Sequence, residues 1–275
     1  MRIYIMTDLE GVAGVNGRSD GIGNKTVNLD IACRRLEAEV NACCEGLFEA
    51  GATEIVVWDG HGGSNSIDIN RLHARVSLGN MGGGLAPIGR ARGFDAAIQL
   101  GTHAMQGVAD GYMNHSFNSH ATAEIRLNGE PIGEIGIGIL LAAYFDVPSI
   151  LVSGDQAACR EAKEFLQGQI CTVETKRAYS RYTVVNHPLE TVAEELRQGA
   201  KNALLKLKQF PLKKIAPPYE MRYQVMCPNH ADMAEKMGIE RLDHQTLLYR
   251  SDNIIDLWAQ RNGWAPGVHN RKFNI

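Results

Sequence analysis

The pattern that most restricts the fold lies in residues 2–59. An apolar run, "RIYIM" (2–6), precedes a long amphipathic stretch and then a second β-rich run, "TEIVVWD" (53–59). Between them Ile31, Leu36, Val40, Cys43 and Leu47 recur at three- to five-residue steps, with Phe48 beside the last. That spacing predicts a helix near Leu29–Ala50, and Gly51 suits its left-handed stop. Strand, helix and strand in this order form a βαβ unit. Its strands are expected to be parallel and its crossover right-handed, because a tight hairpin cannot join them.

The same alternation continues. "FDAAIQL" (94–100) and "VPSILVSGD" (147–155) read as further buried strands, the latter leading into a helix over "QAACREAKEFL". "ATAEIRLNGEPIGEI" reads as a hairpin turning at Asn128-Gly129, with an apolar helix after it in "GIGILLAAYF". Beyond it come a helix ("LETVAEELRQGAKNALLKLK"), a strand ("YEMRYQVMC") and two short helices ("ADMAEKMG", "NIIDLWAQRN"). The expected fold is a layered α/β/α arrangement with a mainly parallel sheet and a hairpin-containing region. Residues 1–275 read as a single catalytic unit, with the Pro-bearing connector 213–220 as the candidate boundary between two lobes. The stretches 16–28 and 79–93 are Gly-rich loops with little apolar content.

Composition removes several function classes. A net charge of -3 gives no basic surface for nucleic acid or an anionic membrane. No run approaches the roughly 18 apolar residues of a membrane span. "MRIYIMTDLE" turns acidic at once, unlike a signal peptide, so a cytoplasmic location is expected. Six cysteines without a C-x-x-C pair read as reduced, structural thiols.

Chemistry concentrates where strands end. "TDLEG" (7–11) sets Asp8 and Glu10 one residue apart just after the first strand, where they repel unless something positive lies between them. Asp59 and His61 follow the second strand, and His103 follows the next. Ligands of open parallel sheets bind outside the carboxyl ends of the strands. Imidazoles and carboxylates gathered there have the composition of a divalent-metal site, zinc or manganese. Each residue alone has a plainer reading: Asp8 or Glu10 as a turn or capping residue, His61 as a surface loop histidine, His103 as a hydrogen-bonding one. His115 and His120 lie in the polar loop "GYMNHSFNSH", and Glu134 begins a helix, where a carboxylate also serves the dipole. No G-x-G-x-x-G follows the first strand, Gly82–Gly84 lack a strand–turn–helix context, and H-E-x-x-H and P-loop motifs are missing from the sequence.

"DLEG" (8–11), "DGH" (59–61), "GTHA" (101–104), "MNHS" (113–116) and "GEIG" (133–136) together resemble, in order, the motifs of the zinc-dependent D-aminopeptidases of the dipeptide-transport-operon type. The resemblance covers more than half the chain. It implies a two-zinc centre with Asp8 bridging, Glu10 and His61 completing one metal, and His103 and Glu134 the other. It also implies a catalytic role for His115, a short peptide or amide substrate, and a ring-shaped homo-oligomer, a decamer of stacked pentamers. The sequence departs from the family pattern in the glycines around His61 and in "QGVADGY" (106–112), which has no proline. Amide hydrolysis is the expected reaction, with His115 as proton shuttle and Asp59 orienting His61. Two alternatives stand beside it: a binuclear phosphoesterase, for which Arg90 and Arg92 are the candidate phosphate ligands, and a non-catalytic small-molecule binder.

Overall fold

The computed structural model describes residues 1–17, 28–80, 89–264 and 267–268. Most of both Gly-rich loops, including Gly82–Gly84, and His269 lie outside the described residues.

A seven-stranded sheet runs in the order β3-β2-β1-β4-β7-β8-β9. Its strands are β1 (Arg2–Thr7), β2 (Glu54–Asp59), β3 (Val76–Asn80), β4 (Ala96–Thr102), β7 (Ser149–Asp155), β8 (Cys171–Ser180) and β9 (Thr183–Asn186). All neighbours pair in parallel except β8 and β9. The chain steps outward from β1 to β2 to β3, then returns to lay β4 on the other side of β1. That reversal creates a crevice outside the carboxyl ends of β1 and β4, the point where such sheets bind ligands.

Helix α1 (Leu29–Glu49) forms as its period requires, capped by Asn28, whose side chain accepts from the Ile31 amide. Gly51 stands at φ 92 just after it. With α4 (Leu189–Leu205) it covers one face of the sheet, where Ile3, Ile5, Ile55, Val57 and Ile98 are buried together. Successive residues of a strand point to opposite faces, so Tyr4 and Trp58 serve the other side. There α2 (Glu134–Tyr144) and α3 (Gln156–Phe165) pack Ile135, Ile139, Ala158 and Ala162 against Val152 of β7.

Helix α2 is apolar all round because it is enclosed on both sides. Ile137, Leu140 and Leu141 point into a second core, shared with β5 (Thr122–Leu127), β10 (Tyr219–Val225), β12 (Thr246–Ser251) and α6 (Ile254–Arg261). These strands, with β6 (Glu130–Pro131) and β11 (Glu240–Arg241), make an antiparallel sheet in the order β11-β12-β10-β5-β6. Helix α5 (Pro228–Lys236) packs beside it. The β5–β6 turn is at Asn128-Gly129, with φ of 51 and 88, the mirror-image geometry the dipeptide favours. Its second arm is only two residues long before α2 takes over, shorter than the sequence suggests.

The sequence reading does not anticipate β3, β8, β9, β11 or β12. In β8 the reason is visible: Thr175 and Lys176 are fully buried, so polar residues occupy inward positions and the apolar alternation that marks a strand is lost.

Candidate metal centre

The segment after β1 lies along the end of β4. The Asp8 amide donates to Leu100 O and the Gly11 amide to Gly101 O, both at 2.8 Å. The approach is too close for side chains. A Cβ on Gly11 would fall 1.9 Å from Thr102 O, and one on Gly101, which stands at φ +69, would fall 2.3 Å from Asp8 O. The glycines of "DLEG" and "GTHA" thus let the two strand ends meet, which brings Asp8 to His103.

Asp8 presents one oxygen to each of two donor groups. Its Oδ1 lies 3.1 Å from His61 Nδ1, which is also 3.1 Å from Glu10 Oε2. Its Oδ2 lies 3.1 Å from His103 Nε2, which is 3.4 Å from Glu134 Oε1. Donor atoms of Asp8, Glu10 and His103 fall within 4.8 Å of one another, as do those of His103, His115 and Glu134. A tetrahedral zinc with ligands at about 2.0–2.1 Å sets neighbouring ligand atoms about 3.3 Å apart. The observed spacings match the edges of such a polyhedron.

The protonation states make the same point. His103 Nδ1 lies 3.0 Å from the carbonyl of Ala104 and can only donate there, which leaves Nε2 facing two carboxylate oxygens. A lone pair aimed at anions is repulsive, so a proton or a metal cation must intervene. Burial opposes charge on His61, but Asp8 and Glu10 overcome it and push the imidazole up to about 11. Burial likewise opposes charge on His103, and Asp8 and Glu134 carry it well above its ordinary value. Burial would raise the Asp8 carboxyl; His103 and His61 instead hold it well below the usual range. This cluster demands positive charge, and its imidazole and carboxylate donors fit a divalent cation.

His115 stacks on His103, ring centroids 3.8 Å apart and planes 16° from parallel. Its Nδ1 donates to Met113 O at 2.7 Å, leaving Nε2 as an acceptor. Burial and the charge on His103 lower its pKa. Met113 and Phe117, two residues either side, both adopt left-handed backbone, at φ 46 and 61. Such conformations are costly for non-glycine residues and concentrate where a loop must present a particular side chain. Asn114 secures the loop, accepting from the Gly107 amide at 3.1 Å and donating to Gly111 O at 2.8 Å. Glu134 stands at the first turn of α2 and accepts from the Phe117 amide at 2.6 Å.

The sequence reading missed the supports behind Glu10. Lys176 on β8 is fully buried, and its Nζ donates to Glu10 O at 2.7 Å and Val15 O at 2.9 Å. Thr175 Oγ1 donates to Gly11 O. From α1, Glu39 Oε1 accepts the Ala13 amide at 2.7 Å. Burial pushes the Glu39 carboxyl up to about 7 from 4.5. A carboxyl raised in this way contributes stability that is fully present below 4.5 and is lost as pH rises through about 7. Glu39→Gln keeps an acceptor for Ala13 and removes the titration. Denaturant unfolding from about pH 5 to about pH 7 is expected to show wild type losing about 2–3 kcal/mol that the variant does not lose. Parallel curves would contradict the assignment.

The predicted site residues Asp8, Glu10, His61, His103, His115 and Glu134 are all brought together. Asp59 does not touch the His61 imidazole as expected. Its Oδ2 accepts the Ser66 amide at 2.6 Å, so it braces the backbone of the loop that carries His61. Arg90 is buried and donates to the hydroxyl of Tyr4, which lies in mid-strand, away from the carboxyl ends. His120 is exposed, its amide donating to Asn118 Oδ1. His73 packs against Phe48, and His187 lies 3.3 Å from Glu174. All six cysteines are free thiols.

Known proteins share this fold. A solved structure described as the Zn-dependent D-aminopeptidase DppA from Bacillus subtilis, a self-compartmentalizing protease, superposes with a TM-score of 0.85 at 25% identity, covering 95% of this chain and 96% of that one. A D-aminopeptidase of Bacillus subtilis (strain 168) is 30% identical over 188 residues, 67% of this chain and 66% of that protein, so the aligned part is just under two thirds of the relative's length. The Peptidase_M55 family model, described as D-aminopeptidase, matches residues 1–261, which takes in both strand-end segments, the histidine loop and the start of α2. With that match over nearly its whole length, the chain belongs to the D-aminopeptidase family.

Proposed function

We propose that this chain is a zinc-dependent aminopeptidase that releases the N-terminal residue, a D-amino acid, from short peptides or amides. The observation that carries the reading is Asp8, one oxygen turned to His61 and Glu10 and the other to His103 and Glu134. In this reading Asp8, Glu10, His61, His103 and Glu134 would hold two zinc ions, with Glu10 and His61 serving one, His103 and Glu134 the other, and Asp8 both. Zinc held there would supply Lewis acidity to polarise a scissile carbonyl and to lower the pKa of water. The protein's own groups do the rest. His115, with Nδ1 anchored on Met113 O, offers Nε2 to accept a proton from attacking water and return it to the leaving amine. The substrate's free α-amine would contact the metal centre or one of its carboxylates, which makes the enzyme an aminopeptidase.

The whole of residues 1–275 acts as one catalytic unit in this reading. The assembly is a homo-oligomeric ring, a decamer of stacked pentamers in the cytoplasm. The relative described as self-compartmentalizing supports an assembly of this kind. No helix among the described residues is long and apolar enough to cross a membrane. The phosphoesterase alternative loses one of its two candidate phosphate ligands, since Arg90 is engaged with Tyr4.

The test is hydrolysis of D-alanyl and L-alanyl p-nitroanilides and of p-nitrophenyl phosphate, before and after treatment with a chelator. Release of nitroaniline from the D-alanyl compound, abolished by the chelator and restored by zinc, is the expected result. Turnover of the phosphate ester, or indifference to the chelator, would count against the proposal.

A further inference from the structure

A cavity of about 440 Å³ opens beside the metal centre without sharing any of its candidate ligands. Its wall includes Met105, two residues past His103, and Gly133, immediately before Glu134. The rest is mainly apolar, with Leu127, Leu140, Phe165 and Ile215. Into this lining comes Glu161 of α3, only 9% exposed. Its Oε2 accepts the Met105 amide at 2.8 Å. Its Oε1 is buried and finds no hydrogen-bond partner among the described residues. A desolvated carboxylate oxygen with nothing to bind is costly, and native structures rarely keep one without a use.

The charge of the rim points the same way. Exposed Glu130 and Glu164 also line the cavity; with Glu161, whose carboxyl burial pushes up to about 7, they face one ammonium, that of Lys213, which lies over the Phe165 ring at 5.5 Å. An apolar chamber with excess negative charge selects against carboxylates and phosphates and in favour of an amine on an apolar body.

We infer that this cavity is a second ligand site, separate from the metal centre, for an apolar molecule bearing a protonated primary amine, which pairs with the Glu161 carboxyl while its alkyl or aryl body lies against Phe165, Leu127 and Leu140. The site does not depend on the peptidase reading and stands or falls whether or not the metal centre holds zinc. Met105 reports on it directly, since its amide is held by Glu161.

The experiment uses the full-length holoprotein labelled with ¹³C at the methionine methyls, with the Met105 signal assigned through Met105→Leu. Hexylamine, hexanol and hexanoate are titrated with a hydroxamate saturating the metal centre. Hexylamine is expected to shift the Met105 methyl saturably in the presence of the hydroxamate, and hexanoate is expected to leave it unmoved. Glu161→Gln, which retains an acceptor for the Met105 amide, should weaken hexylamine by about tenfold or more, with the other methionine signals in place to show that the variant is folded. Displacement of hexylamine by the hydroxamate, equal binding of hexanoate, equal affinity in Glu161→Gln, or no shift of Met105 up to ~10 mM amine would each overturn the inference.

Discussion

Asp8→Ala is expected to lose metal and activity together. The carboxylate faces both donor groups, with its two oxygens at 3.1 Å from His61 Nδ1 and His103 Nε2, so removing it takes a ligand from each proposed site at once. Lewis-acid assistance is worth several kcal/mol of transition-state stabilisation, so its loss corresponds to a fall of about 10³-fold or more in kcat. Asp8→Asn should behave similarly, because it keeps the shape and removes the charge that offsets two cations. Metal analysis of the purified variants beside their turnover checks the point. Full zinc occupancy in either variant would contradict the bridging assignment.

His115→Ala should separate what Asp8→Ala joins. The proposed ligands stay in place, so zinc content should match wild type. If His115 Nε2 is the proton acceptor, kcat should fall by about 10²–10⁴-fold. The KM for a p-nitroanilide should move much less, because the histidine acts on the transferring proton and not on substrate binding. Near-normal turnover would remove His115 from the mechanism. Loss of zinc would recast it as a ligand, an outcome its proximity to His103 and Glu134 makes a real test.

The part of the fold that positions this centre is legible in the sequence because several local signals agree. The period of α1, the stop at Gly51 and the apolar runs of β1 and β2 all point to the same βαβ unit. The site is legible because parallel strands deliver their following residues to one edge, so Asp8, Glu10, His61 and His103 converge however far apart they lie in the chain. What reads poorly is polar structure turned inward. Lys176 and Thr175 bind backbone carbonyls of the segment after β1, which removes the apolar alternation of β8. Glu39 is buried on α1 between Leu36 and Val40, on a face where periodicity expects only apolar groups. Asp59 binds the amide of Ser66 rather than an imidazole, a choice set by loop geometry that spacing does not encode. The cavity around Glu161 draws its lining from β5, β6, α2, α3 and the connector near Lys213, and only the folded chain brings these together.

The central claim is that two cations share Asp8. Zinc-edge anomalous diffraction from crystals grown with zinc measures this directly. Two peaks are predicted, one among Asp8, Glu10 and His61 and one among Asp8, His103 and Glu134. A single peak, or peaks away from Asp8, would contradict the account.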